Sequence, residues 1–107
     1  MEAKLIYITT SSKKEAKDIA TELLKKRLVA CVNILDSMSS MYWWQGKIET
    51  SQECVLIAKT SSHLLEAITE KVKEIHSYTC PCVVAMTLEG GNIEFLDWIL
   101  QETGANK

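Results

Sequence analysis

The feature that most constrains the fold is a long β-rich arm in the middle of the chain. From Val29 to Trp44 the sequence reads VACVNILDSMSSMYWW, and after Gln45-Gly46 a second β-rich run, KIETSQECVLIAKT, follows. Such runs on both sides of a glycine-containing turn predict a β-hairpin. An extended arm of 16 residues spans about 50 Å, whereas a sphere of this chain length has a diameter of roughly 34 Å. We therefore expect the hairpin tip to project beyond its own domain.

Two local features define this hairpin further. Gly46 supplies the backbone freedom of a tight turn, and the polar stretch from Asp36 to Ser40 indicates a bulge or bend in the first arm. Four apolar residues lie near the tip: Met41, Tyr42, Trp43 and Trp44. In water they would form an exposed patch of the kind found at protein interfaces. We expect this cluster to mediate oligomerisation; the alternative is that the kink folds it back onto the core of its own domain.

The rest of the chain alternates strand and helix patterns. KLIYIT near the N-terminus favours a strand, and Ser12 with Glu15 forms a capping box ahead of an amphipathic helix. A second helical pattern ends near His76, VVAMTL then predicts a strand, and Asn92 is placed to cap a last helix. The order βαββαβ followed by a helix predicts an α+β, ferredoxin-like sandwich, built as a single domain over residues 1–107.

Both faces of the predicted sheet are apolar. In VACVNIL one face receives Val29, Cys31, Asn33 and Leu35, and the other receives Ala30, Val32 and Ile34. Right-handed crossovers place both main helices on the same face of a split βαβ sheet. A sheet with one solvated face alternates apolar and polar residues more cleanly. We therefore expect something outside the subunit to cover the second face.

Composition narrows the range of functions. Twelve basic and fourteen acidic residues are interspersed without a basic stripe, so we expect no nucleic-acid partner. No apolar run approaches the roughly 20 residues of a membrane span, and the N-terminal run lacks a signal pattern. We expect no membrane association and a cytoplasmic location. In that compartment the four cysteines, which form no CxxC pair, are expected to be thiols and not disulfides: Cys31, Cys54, Cys80 and Cys82.

Several segments together resemble the CutA family of divalent-cation tolerance proteins. They extend over nearly the whole chain: LVACVNI at 28–34, SMYWWQGKIE at 40–49, Lys59-Thr60, HSYTCP at 76–81 and FLDWILQ at 95–101. The resemblance implies a ferredoxin-like subunit, a homotrimer built by strand pairing between subunits, and clefts at the subunit junctions. It also implies binding of copper or another divalent metal ion, with no organic cofactor.

Matching residues to the family pattern gives a set of candidate site positions. The resemblance implies His76 and Cys31 as metal ligands, and it places five further residues in the ligand cleft: Trp43, Lys59, Tyr78, Pro81 and Trp98. Several of these residues also have a structural interpretation. An imidazolium at a helix C-terminus, as at His76, is favoured by the helix dipole. The ammonium of Lys59 can extend to solvent from the end of its strand, and Trp98 can belong to the core.

The stretch HSYTCPC departs from the HPYExPE typical of relatives. Ser77 replaces a proline, and Thr79 and Cys82 replace two glutamates, so two carboxylates are lost. Thiols at Cys80 and Cys82 would favour softer ions such as Cu(I) or Zn(II). Pro81 favours an extended chain, which separates side chains two residues apart by about 7 Å, whereas zinc needs each thiolate at about 2.3 Å. We expect these cysteines to be ordinary small residues unless other subunits supply further thiols.

The leading hypothesis is a non-catalytic, cytoplasmic trimer that binds divalent or soft metal ions. The sequence contains no Ser-His-Asp order, phosphate-binding glycine loop or HExxH motif that would indicate catalysis. An alternative is a sensor, by analogy with trimeric PII-type regulators, that binds a small anionic metabolite in the cleft between subunits. A third hypothesis is an enzyme that uses His76 as an acid/base beside Lys59, which requires both side chains to face one cavity.

Overall fold

The computed structural model of the chain describes residues 2–104. The elements follow in the order β1 (Ala3–Thr10), α1 (Lys13–Lys25), β2 (Cys31–Trp44), β3 (Lys47–Ser61), α2 (Leu65–Ile75), β4 (Val83–Thr87) and α3 (Ile93–Glu102), with a short 3-10 helix, Ser62–Leu64, before α2. The strands form one antiparallel sheet in the order β2-β3-β1-β4. This is the ferredoxin-like arrangement that the sequence predicts, with α3 as the added helix.

One sheet face packs against α1 and α2. The apolar stripes of the two helices, including Ile19, Leu23 and Ile68, are buried against Ile6 and Leu56 of the central strands. Because these side chains recur at helical spacing on the helices and at every second position on the strands, one core forms between the two layers. Both main helices therefore cover the same face, as expected for right-handed crossovers.

The second face of the sheet is apolar and only partly covered. Strand alternation and ladder register place one set of side chains there, which we call the second face: Leu5, Tyr7, Leu35, Val55, Ile57, Val84 and Met86. Toward the edges of the sheet, Leu35, Val84 and Met86 are 57%, 51% and 55% exposed. Helix α3 covers one end, where the Thr103 and Ser61 hydroxyls form a buried hydrogen bond. The centre of this face is buried at Val55, which is 5% exposed, whereas its edge positions have no covering layer within residues 2–104.

The hairpin formed by β2 and β3 extends past the sheet. A register shift between Leu35 and Met38 adds one residue to β2, and Ser37 has a φ of 61° there. The strands join through Gln45 and Gly46, whose φ values of 49° and 79° are those of a two-residue hairpin turn. The molecule measures 46 Å along its longest axis against 25 and 22 Å along the others. The predicted bulge, turn and projecting tip are all confirmed.

Within the described part of the chain, no helix combines the length and the apolar character needed to cross a membrane.

Candidate functional site

The segment of residues 76–82 connects α2 to β4 and is fixed through a buried histidine. His76 Nε2–H donates a hydrogen bond to the Thr9 carbonyl at 2.8 Å, and His76 Nδ1 accepts one from the Tyr78 backbone N–H at 3.0 Å. The His76 side chain is fully buried. These two bonds define the tautomer with the proton on Nε2. In this arrangement the ring ties the segment to β1 and has no free lone pair for a metal ion.

Glu15 ties the same segment to the first turn of α1. Its Oε1 accepts hydrogen bonds from the Ser11 backbone N–H and hydroxyl, both at 2.9 Å, while its Oε2 accepts one from the Ser77 N–H at 2.8 Å. Burial acts to raise the pKa of Glu15, but the hydrogen bonds from Ser11 and Ser77 outweigh it and lower the pKa to about 2. The Ser77 bond requires a backbone N–H, which a proline at this position would lack.

Tyr78 extends from the 76–82 segment to the sheet. Its hydroxyl donates to Glu53 Oε2 at 2.7 Å, and its ring lies against the His76 imidazole with the ring centroids 4.6 Å apart. Burial, together with the carboxylate of Glu53, raises the pKa of Tyr78. Tyr78 therefore stays a protonated donor near neutral pH. Glu53 itself, on β3, is only 8% exposed.

A cavity of about 550 Å³ lies between the 76–82 segment and the hairpin. Thr9 and Glu53 contribute from the central strands, Ser40, Met41, Tyr42 and Trp44 from β2, and Ser77, Tyr78, Thr79, Cys80 and Cys82 from the segment. Its volume lies in the range of small-molecule sites. Among residues 2–104, Glu53 is the only acidic residue of this lining, which contains no Lys, Arg or His.

Of the residues predicted to line a cleft, Tyr78 alone lines this cavity. Trp43 projects from the hairpin and is 72% exposed. Lys59 Nζ donates to Asn33 Oδ1 at 2.6 Å, and Pro81 is half-buried outside the lining. Trp98 contacts Phe95 on α3, with ring centroids 5.4 Å apart. The cleft expected from the resemblance is thus not assembled by these residues within one chain.

The two proposed metal ligands are also separated within one chain. Cys31 pairs with Lys59 across β2 and β3, and Lys59 pairs with Leu5 of β1. His76 is bonded to Thr9, four residues further along β1, which corresponds to about 13 Å. Residues 2–104 contain no group of three or more His, Cys, Asp or Glu side chains able to hold a metal ion. By the same separation, His76 and Lys59 of one chain do not face one cavity, as the hypothesis of an acid/base pair requires.

The four cysteines occupy different environments and are all free thiols. Cys54 is buried in the core, Cys31 and Cys82 are half-buried, and Cys80 is exposed. Cys80 and Cys82 both line the cavity, although neither forms a hydrogen bond that fixes its sulfur within the described residues.

Sequence reasoning did not identify Glu53 or Glu15 as site residues. Glu53 precedes the apolar run CVLIA, and strand alternation places it on the same face as Val55 and Ile57. The available signal was an acidic residue at a position that strand alternation places on an apolar face of the sheet. For Glu15 the capping-box pattern was recognised, but its bond to Ser77 depends on a contact 62 residues away in sequence.

Comparison with known proteins identifies the family. The family model of the CutA1 divalent ion tolerance protein matches residues 4–102. The divalent-cation tolerance protein CutA of Archaeoglobus fulgidus is 50% identical over 94 residues, which are 88% of this chain and 91% of that protein. The CutA protein of Thermus thermophilus is 42% identical over 101 residues, covering 94% of this chain and 98% of that protein.

Solved structures agree with this match. The Thermus thermophilus structure has a TM-score of 0.93 at 41% identity, covering 95% of this chain and 99% of that one. The Archaeoglobus fulgidus structure, described as periplasmic, has a TM-score of 0.91 at 46% identity, covering 94% and 98%. The chain spans 56% of the rice protein CutA 1, described as chloroplastic, to which it is 41% identical over 99 residues, 92% of its own length. The chain belongs to the CutA1 divalent ion tolerance protein family.

Proposed function

We propose that this chain is a non-catalytic divalent-cation tolerance protein that forms a homotrimer and binds copper or other divalent or soft metal ions in the cytoplasm. Membership of the CutA1 family supports the link to divalent cations. The observation that carries the assembly is the incompletely covered second face together with the projecting hairpin. The names of the relatives mention both periplasm and chloroplast, so the cytoplasmic location rests on the sequence alone.

Two features of the subunit favour self-association. Met41, Trp43 and Ile48 form an apolar stripe on one side of the hairpin tip, where they are 74%, 72% and 60% exposed. Strand β2 is an edge of the sheet and offers unpaired backbone groups along 14 residues. A second copy that pairs with this edge and covers the stripe removes both from water. Strand pairing between subunits is therefore the proposed basis of the trimer.

Metal binding is proposed to depend on that assembly. One chain does not bring Cys31 and His76 together, and His76 would reach a metal ion through Nδ1 only after its bond from the Tyr78 N–H is broken. Cys31 is a free, half-buried thiol on the β2 edge. Thiolates supplied by several copies select soft ions such as Cu(I) or Zn(II). Cys31 is thus the stronger candidate ligand, with His76 second.

A titration of the assembled protein with Cu(I) and Zn(II) tests this function. We expect Cys31→Ser to abolish a calorimetric site that Cys80→Ser, an exposed thiol used as the control, leaves intact. His76→Ala is expected to weaken the same site. Retention of full metal affinity in Cys31→Ser would overturn the assignment of the ligand. A wild-type protein that sediments as a monomer would overturn the assembly on which the site depends.

The alternative, a sensor that binds a small anionic metabolite in the cleft between subunits, gains no support from the cavity described above. Within the described part of the chain, that lining contains the Glu53 carboxylate and no Lys, Arg or His side chain.

A further inference from the structure

Glu53 presents an unused hydrogen-bond acceptor to the cavity. Its Oε2 accepts the Tyr78 hydroxyl, whereas its Oε1 has no hydrogen-bond partner among residues 2–104. In that part of the chain, every side-chain N or O atom that is sealed from solvent has a hydrogen-bond partner. Oε1 therefore keeps contact with the open space of the cavity, although Glu53 as a whole is only 8% exposed. A largely buried carboxylate of this kind is stabilised by a donor that completes its hydrogen bonds.

The charge around the cavity selects a positively charged donor. No basic side chain among the described residues of the lining neutralises Glu53. A second carboxylate lies next to the lining. Glu15 accepts a hydrogen bond from the backbone N–H of Ser77, a lining residue, and the pKa of Glu15 is lowered to about 2. Charges in a partly enclosed site interact more strongly than charges in water. The cavity is thus electrostatically suited to a cation.

The size and the walls of the cavity distinguish an organic cation from a bare metal ion. About 550 Å³ is the volume of a small-molecule site and far more than one ion fills. Tyr42 and Trp44 supply aromatic surfaces on the hairpin side. Aromatic faces attract ammonium groups through their quadrupoles. By contrast, no group of three metal-ligating side chains exists in the described residues.

We propose that this cavity binds an organic ammonium compound, a primary amine that carries an aromatic or apolar body. The ammonium group donates to Oε1 of Glu53, and the body lies against Tyr42 and Trp44. This binding activity goes beyond the proposed metal function and uses neither Cys31 nor His76. Thr9 and Glu53 lie on the second face, so the mouth of the cavity opens toward the surface that a neighbouring copy would approach.

The test is a calorimetric titration of the assembled protein with three ligands of the same shape. These are 2-phenylethylammonium, the neutral 2-phenylethanol and the anionic 3-phenylpropionate. We expect the ammonium compound to bind at least about tenfold more tightly than the alcohol. Both can donate a hydrogen bond to the Glu53 carboxylate, but only the ammonium group adds an attraction between opposite charges in a partly enclosed site. The anion is expected not to bind.

Two variants test whether Glu53 is the source of the preference for the ammonium compound. Glu53→Gln keeps the shape and removes the charge, so we expect it to abolish the preference for the ammonium compound over the alcohol. Glu49→Gln is the matched control, because Glu49 pairs with Tyr42 on the same side of the hairpin but does not line the cavity. It should leave the preference unchanged. Circular dichroism establishes that each variant is folded.

The following results would overturn the proposal. Equal affinity for the ammonium compound and the alcohol, or binding of none of the three ligands, excludes an amine site. A folded Glu53→Gln that retains the preference excludes Glu53 as its source. Should Glu53→Gln fail to fold, Tyr42→Leu replaces it. Because the body of the ligand lies against the Tyr42 ring, we expect the lost aromatic contact to weaken binding of the ammonium compound by about threefold. An unchanged affinity there also overturns the proposal. Loss of the metal site in Cys31→Ser leaves all of these results unaffected, so the two hypotheses fail separately.

Discussion

At the scale of single residues, hydrogen bonds to the backbone decide what the candidate site can do. His76 is bonded to Thr9 and Tyr78 through both ring nitrogens, and Glu15 accepts from Ser11 and Ser77. Each of these side chains joins the 76–82 segment to another element. The immediate role of His76 and Glu15 is therefore to hold that segment in place, which in turn positions Tyr78 beside Glu53.

The Glu15 carboxylate makes a specific prediction about acid stability. Its folded-state pKa of about 2 lies below its ordinary value of 4.5, so its contribution is fully present above about pH 4.5 and is lost as the pH falls toward 2. We expect Glu15→Gln to lower the free energy of unfolding at pH 7 by about 1–3 kcal/mol. The variant should also lose less stability than the wild type between pH 5 and pH 2. Urea unfolding across this range measures both effects.

Glu66 offers a matched control for this prediction. It also lies in the first turn of a helix, α2, but it is exposed and forms no side-chain hydrogen bond within the described residues. Glu66→Gln should change stability by less than about 0.5 kcal/mol at pH 7. Identical acid profiles for the two variants would contradict the role assigned to Glu15.

The identity of the site residues was only partly accessible from the sequence. The segment containing His76 and Tyr78 was recognised from its unusual composition, yet the partners of His76 were not, because Thr9 is 67 residues away. For Glu53, alternation indicates the face that it shares with Val55, but its burial also depends on its contact with Tyr78, which is 25 residues away. Contacts between residues that are distant in sequence depend on tertiary packing, which local sequence patterns do not determine.

At the scale of elements, the long hairpin is where sequence and structure agree most closely. Its turn, its bulge and its overhang follow from Gly46, the polar stretch around Ser37 and the number of β-forming residues. These features depend on backbone conformation and strand length, which are local properties. The helices agree for the same reason, since Ser12 and Asn92 cap α1 and α3 as predicted.

The hairpin turn predicts a measurable cost for removing its glycine. Gly46 has a φ of 79°, and a Cβ added there meets no atom within 4 Å. Any penalty for Gly46→Ala is therefore conformational and not steric, and we expect a loss of about 1 kcal/mol in unfolding free energy. Gly90→Ala is the control, since its φ lies outside the left-handed region and its Cβ position is also open. Equal stability of the two variants in chemical denaturation would show that the turn tolerates the side chain.

At the scale of the whole molecule, the subunit has more apolar surface than its own helices can cover. The helix-covered face is sealed by α1 and α2, whereas the second face and the hairpin tip keep large side chains in contact with water. Such surfaces on a small domain mark interfaces between proteins. Neither the partner surface nor the cleft between copies can be read from one sequence, because both depend on how several chains meet.

The hairpin tip gives the most direct test of this assembly. Trp43 and Trp44 are 72% and 44% exposed in the single subunit, so their replacement by serine removes little packing within one chain. If neighbouring copies bury them, Trp43→Ser with Trp44→Ser should convert the proposed trimer into smaller or aggregated species in light scattering at micromolar concentration. Leu24→Ser is the control, because Leu24 is 41% exposed and belongs to α1 and not to the hairpin; its variant should keep the wild-type mass. A double variant that remains a stable trimer would mean that the overhanging hairpin does not hold the copies together, and the interface would then have to lie on the second face alone.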